Sequence, residues 1–78
     1  MAYQEKYTVG TVVRIASLDR LQAFKRDWKY HHPLNDEQLR FAGTADKVRW
    51  VGFYHGGDVL YELEKAPGTW HEGLLDSD

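Results

Sequence analysis

The chain has 78 residues, ten Lys and Arg against twelve Asp and Glu, a net charge of −2 and no cysteine. Disulfide staples and thiolate metal sites are therefore excluded, and the acidic balance disfavours a protein that works by displacing counterions from phosphates. No apolar run approaches the ~18 residues needed to span a bilayer, and Met1 to Lys6 is too polar for a secretory leader, so the expectation is a cytoplasmic protein with one domain over residues 1–78 and flexible ends at 1–6 and 76–78.

A domain of this size buries only about 60% of the surface of its unfolded chain. Three Trp, five Tyr and three Phe supply dense core material, since each ring can bury roughly 150–250 Å². Thr8 to Ile15 is rich in β-branched residues, with Val9, Thr11, Val13 and Ile15 on one parity, and predicts a strand. Ser17 follows as a helix cap with Asp19 in the first turn. Leu18, Leu21, Phe24 and Trp28 then fall on one stripe of a helical wheel, which predicts one amphipathic helix over residues 18–28. Pro33 forces His32 out of the helical region. Asn35-Asp36 starts a short turn carrying Leu39 and Phe41, and Gly43 marks entry into a strand.

Lys47 to Tyr54 and Val59 to Glu64 alternate on either side of His55-Gly56-Gly57-Asp58. A glycine pair between two such runs predicts a hairpin with a two-residue primed turn, in which the numbers of paired residues sum to about 113. Val48, Trp50, Gly52 and Tyr54 then share a core face with Val59, Tyr61 and Leu63, with Tyr61 opposite Gly52. The other face sets Arg49 against Glu64, His55 against Asp58 and Phe53 beside Leu60. Pro67-Gly68 is a second turn of type II. Thr69 to Glu72 forms a short final strand, Gly73 to Leu75 a tight turn, and Asp76 to Asp78 a solvated tail.

The segment GTADKVRWVGFYHGGDVLYELEKAPGTWHEGLL, residues 43–75, together with residues 8–15, resembles the strand and turn order of SH3-like barrels, such as those of the nitrile hydratase β subunit and the small accessory subunit of photosystem I. Gly43 before a strand, the alternation of Tyr61 and Leu63, and Trp70, Glu72 and Leu75 at the closure carry the likeness. The pattern YHGGDVLYELE followed by PGTWHE is similar to a small bacterial domain of no assigned activity. The resemblance implies a mainly β fold: a small SH3-like barrel of four or five antiparallel strands, with one short amphipathic helix inserted after the first strand. The helix and the Tyr30–Pro33 loop have no counterpart in minimal domains of this kind.

Chemistry-bearing residues are few. His31 and His32 are adjacent, and in an extended loop their rings point in opposite directions; His55 sits at the hairpin tip and His71 near the last strand. No HExxH or other ligand spacing accompanies them, so no metal or cofactor is expected. Ser17 and Ser77 lie in no nucleophile elbow, and Gly56-Gly57 precedes no helix that would hold a phosphate, so no catalytic residue is expected. The aromatic surplus is the remaining signal. Trp28, Tyr30, Phe53 and Trp70, with His55 and His71 nearby, are the candidate contact residues, because Trp and Tyr dominate binding hot spots. Val51, Phe53 and Leu60 on the outer hairpin face require cover, from the helix or from a partner. The expected function is thus a non-catalytic protein-interaction or accessory domain, its partner another protein or a second copy of itself. The alternatives are a nucleic-acid-binding barrel using Arg14, Arg20, Lys25, Arg26, Lys29, Arg40 and Arg49 with stacked aromatics, and a histidine-based metal-binding or enzymatic accessory protein.

Overall fold

Two residues set the ends of the first strand. Gly10 takes a positive φ of 93°, and Thr11 N donates to Thr8 O at 3.0 Å, so residues 8–10 turn and β1 is confined to Val12–Ile15, with Val13 and Ile15 buried. The computed structural model describes residues 4–54 and 57–78. Helix α1, Leu18–Asp27, begins at the Ser17 cap, carries Asp19 in its first turn and Lys25 and Arg26 in its last, and so matches charge to the helix dipole at both ends. It ends at Trp28, whose extended backbone still donates N–H to Phe24 O at 2.8 Å. Of the expected stripe, Leu21 is buried and Phe24 and Trp28 are half-buried, but Leu18 is exposed. Helix α2, Asp36–Leu39, is a single turn closed by a reciprocal capping box between Asn35 and Gln38.

Strands β2 (Ala45–Phe53), β3 (Val59–Leu63), β4 (Thr69–His71) and, after a 3₁₀ turn at Glu72–Leu74, β5 (Leu75–Ser77) complete the structure. All pairings are antiparallel, and the strand order is β4-β3-β2-β1-β5. The fold is mainly β with a short helix after the first strand, as expected, and the sheet is open, with β4 and β5 at its two edges. The expected solvated tail is a correction: Asp76 and Ser77 pair with Arg14 and Val13, and Asp78 binds the Arg14 guanidinium at 2.8 Å. Each edge strand has a carbonyl taken by a side chain from outside the sheet. Gln38 Nε2 donates to Thr69 O at 3.1 Å, and the Tyr7 hydroxyl donates to Leu75 O at 3.2 Å. Such cover lowers the tendency of a sheet edge to recruit another strand.

The hairpin forms, but its register departs from the alternation. Tyr54 N donates to Asp58 O at 2.9 Å and Gly57 N to Tyr54 O at 3.1 Å, with Gly57 at φ 101°. The loop is therefore three residues long, and paired numbers sum to 112 from Phe53↔Val59 down to Trp50↔Glu62, then shift at a bulge before Val48↔Leu63. A bulge adds one residue to one strand and reverses every side chain beyond it. Val48 and Val51 face the core, Tyr61 opposes Val51 instead of Gly52, and Trp50 turns outward, 45% exposed. The space above Gly52 is filled by the Trp50 indole, whose ring lies where a Cβ would stand. Arg49 consequently pairs with Glu62 at 2.6 Å and not with Glu64. The expected apolar trio also separates: Val51 packs on the core, while Leu60 is buried on the opposite face, between Gly52 and His71 in the ladder. The core itself gathers Tyr7, Val13, Ile15, Leu21, Val48, Tyr61, Leu63, Trp70, Leu74 and Leu75.

Candidate functional site

Beyond the end of α1 the chain is tied down by two aromatic side chains. Trp28 Nε1 donates to His31 O at 2.7 Å, and His71 Nε2 lies 3.0 Å from His32 O. A carbonyl only accepts, so Nε2 of His71 carries the proton. Between these two straps His32 adopts φ 49°, a left-handed conformation uncommon outside glycine. That geometry overturns the expected divergence of the two rings. His31 stacks on Tyr54 with centroids 3.8 Å apart and planes 16° apart, and His32 meets the same tyrosine edge-on at 5.6 Å.

The rings continue into one cluster. Phe24 stacks on Trp28 at 5.2 Å, Trp28 meets Tyr30 edge-on at 5.0 Å, and His71 touches both Phe24 and Trp28 at 4.9 Å. His31 Nε2 lies 2.7 Å from Asp58 Oδ2, without the alignment of a hydrogen bond among the described residues. Burial pushes the His71 imidazole below its ordinary pKa, outweighing the opposing bond to His32 O; the ring is a neutral wall of the cluster.

A cleft of about 330 Å³ opens under Phe24 and Trp28, with Val59, His71 and Leu74 as walls and Asp58 and Glu72 at its polar side. A second hollow of about 350 Å³ meets it at Phe24, Trp28 and Leu74. Glu72 is fixed in place: its Oε2 accepts the Tyr61 hydroxyl at 2.5 Å and Lys6 N at 2.9 Å. Burial and this bond raise the Tyr61 phenol to about 12, so Tyr61 stays protonated.

The six candidate contact residues separate. Tyr30 is 71% exposed and Phe53 48% exposed, both at the surface as expected. Trp28 is half-buried and roofs the cleft. Trp70 is a correction: it is fully buried in the core, with its Nε1 unpaired among the described residues, because β4 turns it toward Tyr61, its ladder neighbour. His71 is likewise buried and lines the cleft from within. His55 lies outside the described residues. Phe24, His31, Tyr54, Asp58 and Glu72 belong to the site but were not among the candidates. Unbroken alternation puts Tyr54 in the core, whereas the longer loop and the bulge set it beside His31. The Asp-Val step after the glycine pair was the one sequence cue that a carboxylate returns next to the loop.

The alternative readings find little in the geometry. Of the seven basic residues expected to serve a nucleic acid, Arg14, Arg20, Lys25, Arg26 and Arg49 each hold a carboxylate of this chain. Among the described residues no three His, Asp or Glu side chains are arranged to hold a metal ion, and no helix is long and apolar enough to cross a membrane. Comparison with protein-family models, curated proteins and solved structures finds no match for this chain.

Proposed function

We propose that this protein is a non-catalytic interaction domain that binds a segment of another protein on the surface made by residues 28–32 with Tyr54 and Asp58 of the β2–β3 hairpin. The observation that carries this reading is the run of rings from Phe24 through Trp28 and His31 to Tyr54, with exposed Tyr30 edge-on to Trp28 and a concave cleft bordering Phe24 and Trp28. Pre-ordered aromatic rings beside a cleft are the usual anchors of interfaces, because they bury large area at small entropic cost. An SH3-like lineage is part of the proposal. It is supported by the strand order β4-β3-β2-β1-β5, the long β2 shared by both halves of the sheet, and the 3₁₀ turn between β4 and β5. Helix α1 and the loop after it build the surface, so the binding face differs from that of a minimal domain.

Selection of peptides from a random display library against the immobilised chain tests the reading. Wild type is expected to enrich a consistent set of sequences, and Tyr30→Ala is expected to weaken them about tenfold or more, as for a hot-spot ring, with an unchanged far-ultraviolet spectrum. Equal binding by wild type and variant would refute the assignment of this surface.

A further inference from the structure

We propose that the cleft beneath Trp28 receives a cationic side chain, best an arginine, from a basic segment of the partner; this rests on the interaction reading above and specifies its ligand. The first argument is charge. Asp58 and Glu72 both line the cleft, and none of its nine described lining residues is Lys or Arg. Five carboxylates elsewhere hold a cation: Asp78 with Arg14, Asp76 with Arg20, Asp36 with Lys25, Asp27 with Arg26 and Glu62 with Arg49. In the cleft the partners are of another kind. Asp58 faces His31, charged only when protonated, and Glu72 accepts from the neutral Tyr61 hydroxyl and the Lys6 backbone. Glu72 thus adds a carboxylate to the lining that no cationic side chain of the described residues holds. The Lys6 ammonium is turned away, over the Tyr7 ring at 5.5 Å.

The second argument is the aromatic part of the lining. Stacked Phe24 and Trp28 offer π-electron density, which attracts a cation, most strongly at indole. Trp28 also caps the C-terminus of α1, the negative end of the helix dipole, and the basic residues of that last turn are occupied, Lys25 by Asp36 and Arg26 by Asp27. Size agrees: about 330 Å³ lies near the lower limit of small-ligand sites, roughly 300–1,000 Å³, which suits one long side chain. A planar guanidinium can lie against an indole while donating to carboxylates at its edge, which an ammonium does less well.

The test is an NMR titration of the full chain with an acetylated, amidated Gly-Arg-Gly peptide and with the same peptide carrying citrulline, which has nearly the shape of arginine and no charge. The arginine peptide is expected to shift the Trp28 indole N–H and the amides of Asp58 and Glu72, and to weaken with added salt; the citrulline peptide is expected to leave them unchanged. Asp58→Asn is expected to weaken the arginine peptide about tenfold, in line with loss of a charged hydrogen-bond partner. Glu72→Gln, which keeps an acceptor oxygen for Tyr61, provides a second variant should the first fold poorly. Equal binding of the citrulline peptide, or shifts centred elsewhere on the sheet, would overturn the proposal. If library peptides without basic residues bind in a manner dependent on Tyr30, the interaction reading stands and the cation assignment falls. If neither library nor arginine peptides bind, both fall.

Discussion

Tyr61 is where the N-terminal segment, β3 and the 3₁₀ turn meet. Its hydroxyl donates to Glu72 and accepts from Lys6 N at 3.1 Å and Tyr7 N at 3.2 Å. Tyr61→Phe removes a buried oxygen that serves three groups, and is expected to lower stability by about 1–3 kcal/mol in urea unfolding. The same hydroxyl bounds stability on the alkaline side. Burial and the bond to Glu72 hold its pKa at about 12 when folded, against about 10 unfolded. Between these values the unfolded chain binds fewer protons, so the contribution is complete below pH 10 and is lost as pH rises toward 12. His71 acts in the opposite sense. Its folded pKa is lowered, chiefly by burial, so the unfolded chain binds more protons in acid. Its contribution is complete above about 6.5 and declines as pH falls toward the folded value. Urea midpoints measured across pH are expected to fall on both sides, with Tyr61→Phe flattening the alkaline limb and His71→Gln the acid one.

Among the elements, α2 is too short to be stable alone, and Gln38 ties it to the sheet. Gln38 closes the capping box with Asn35 and donates Nε2 to Thr69 O, and is fully buried in doing so. Gly68 leaves room for it: a Cβ there would stand 2.8 Å from Gln38 Nε2, and φ is +79°. Gly68→Ala combines the left-handed penalty of roughly 1–2 kcal/mol with displacement of that bond, worth about 1 kcal/mol. Chemical unfolding should show a loss of about 2–3 kcal/mol. Gly73→Ala, with no atom near the added carbon, should leave stability within about 0.5 kcal/mol. The strands show where a local pattern stops being a guide. Val59, Tyr61 and Leu63 do share the inner parity of β3, because nothing interrupts that strand; the β2 assignments fail beyond Arg49, because one bulged residue reverses Trp50, Gly52 and Tyr54 together.

For the whole molecule, the N-terminal segment is a strap and not a tail where it is described. Tyr7 is buried against Tyr61, ring centroids 5.8 Å apart, and covers the β5 edge through Leu75 O. Removing residues 1–7 withdraws a core ring worth about 1.5–3 kcal/mol from a domain whose total stability is on the order of 4–12 kcal/mol at ordinary per-residue values. The truncated chain is expected to melt at least ~6 °C lower by calorimetry, and its uncovered β5 edge is expected to raise self-association in sedimentation. An unchanged melting temperature would mean that the strap does not contribute.

Composition and local order determined the mainly β class, the helix with its Ser17 cap, the left-handed Gly68 after Pro67 and the hairpin itself, because each depends on residues within a few positions of one another. The candidate site was legible only in part: Trp28 stands at the end of the amphipathic stripe, and Tyr30 and Phe53 reach the surface. Tertiary structure decided the rest. It buried Trp70, turned Trp50 outward over Gly52, and brought Asp58 and Glu72 to the same cleft as Phe24. Those outcomes depend on a one-residue bulge, a loop one residue longer than the glycine pair suggested and a left-handed His32. Each of these differs from its alternative by only a few kcal/mol of local conformational energy, an amount that distant packing sets and neighbouring sequence does not.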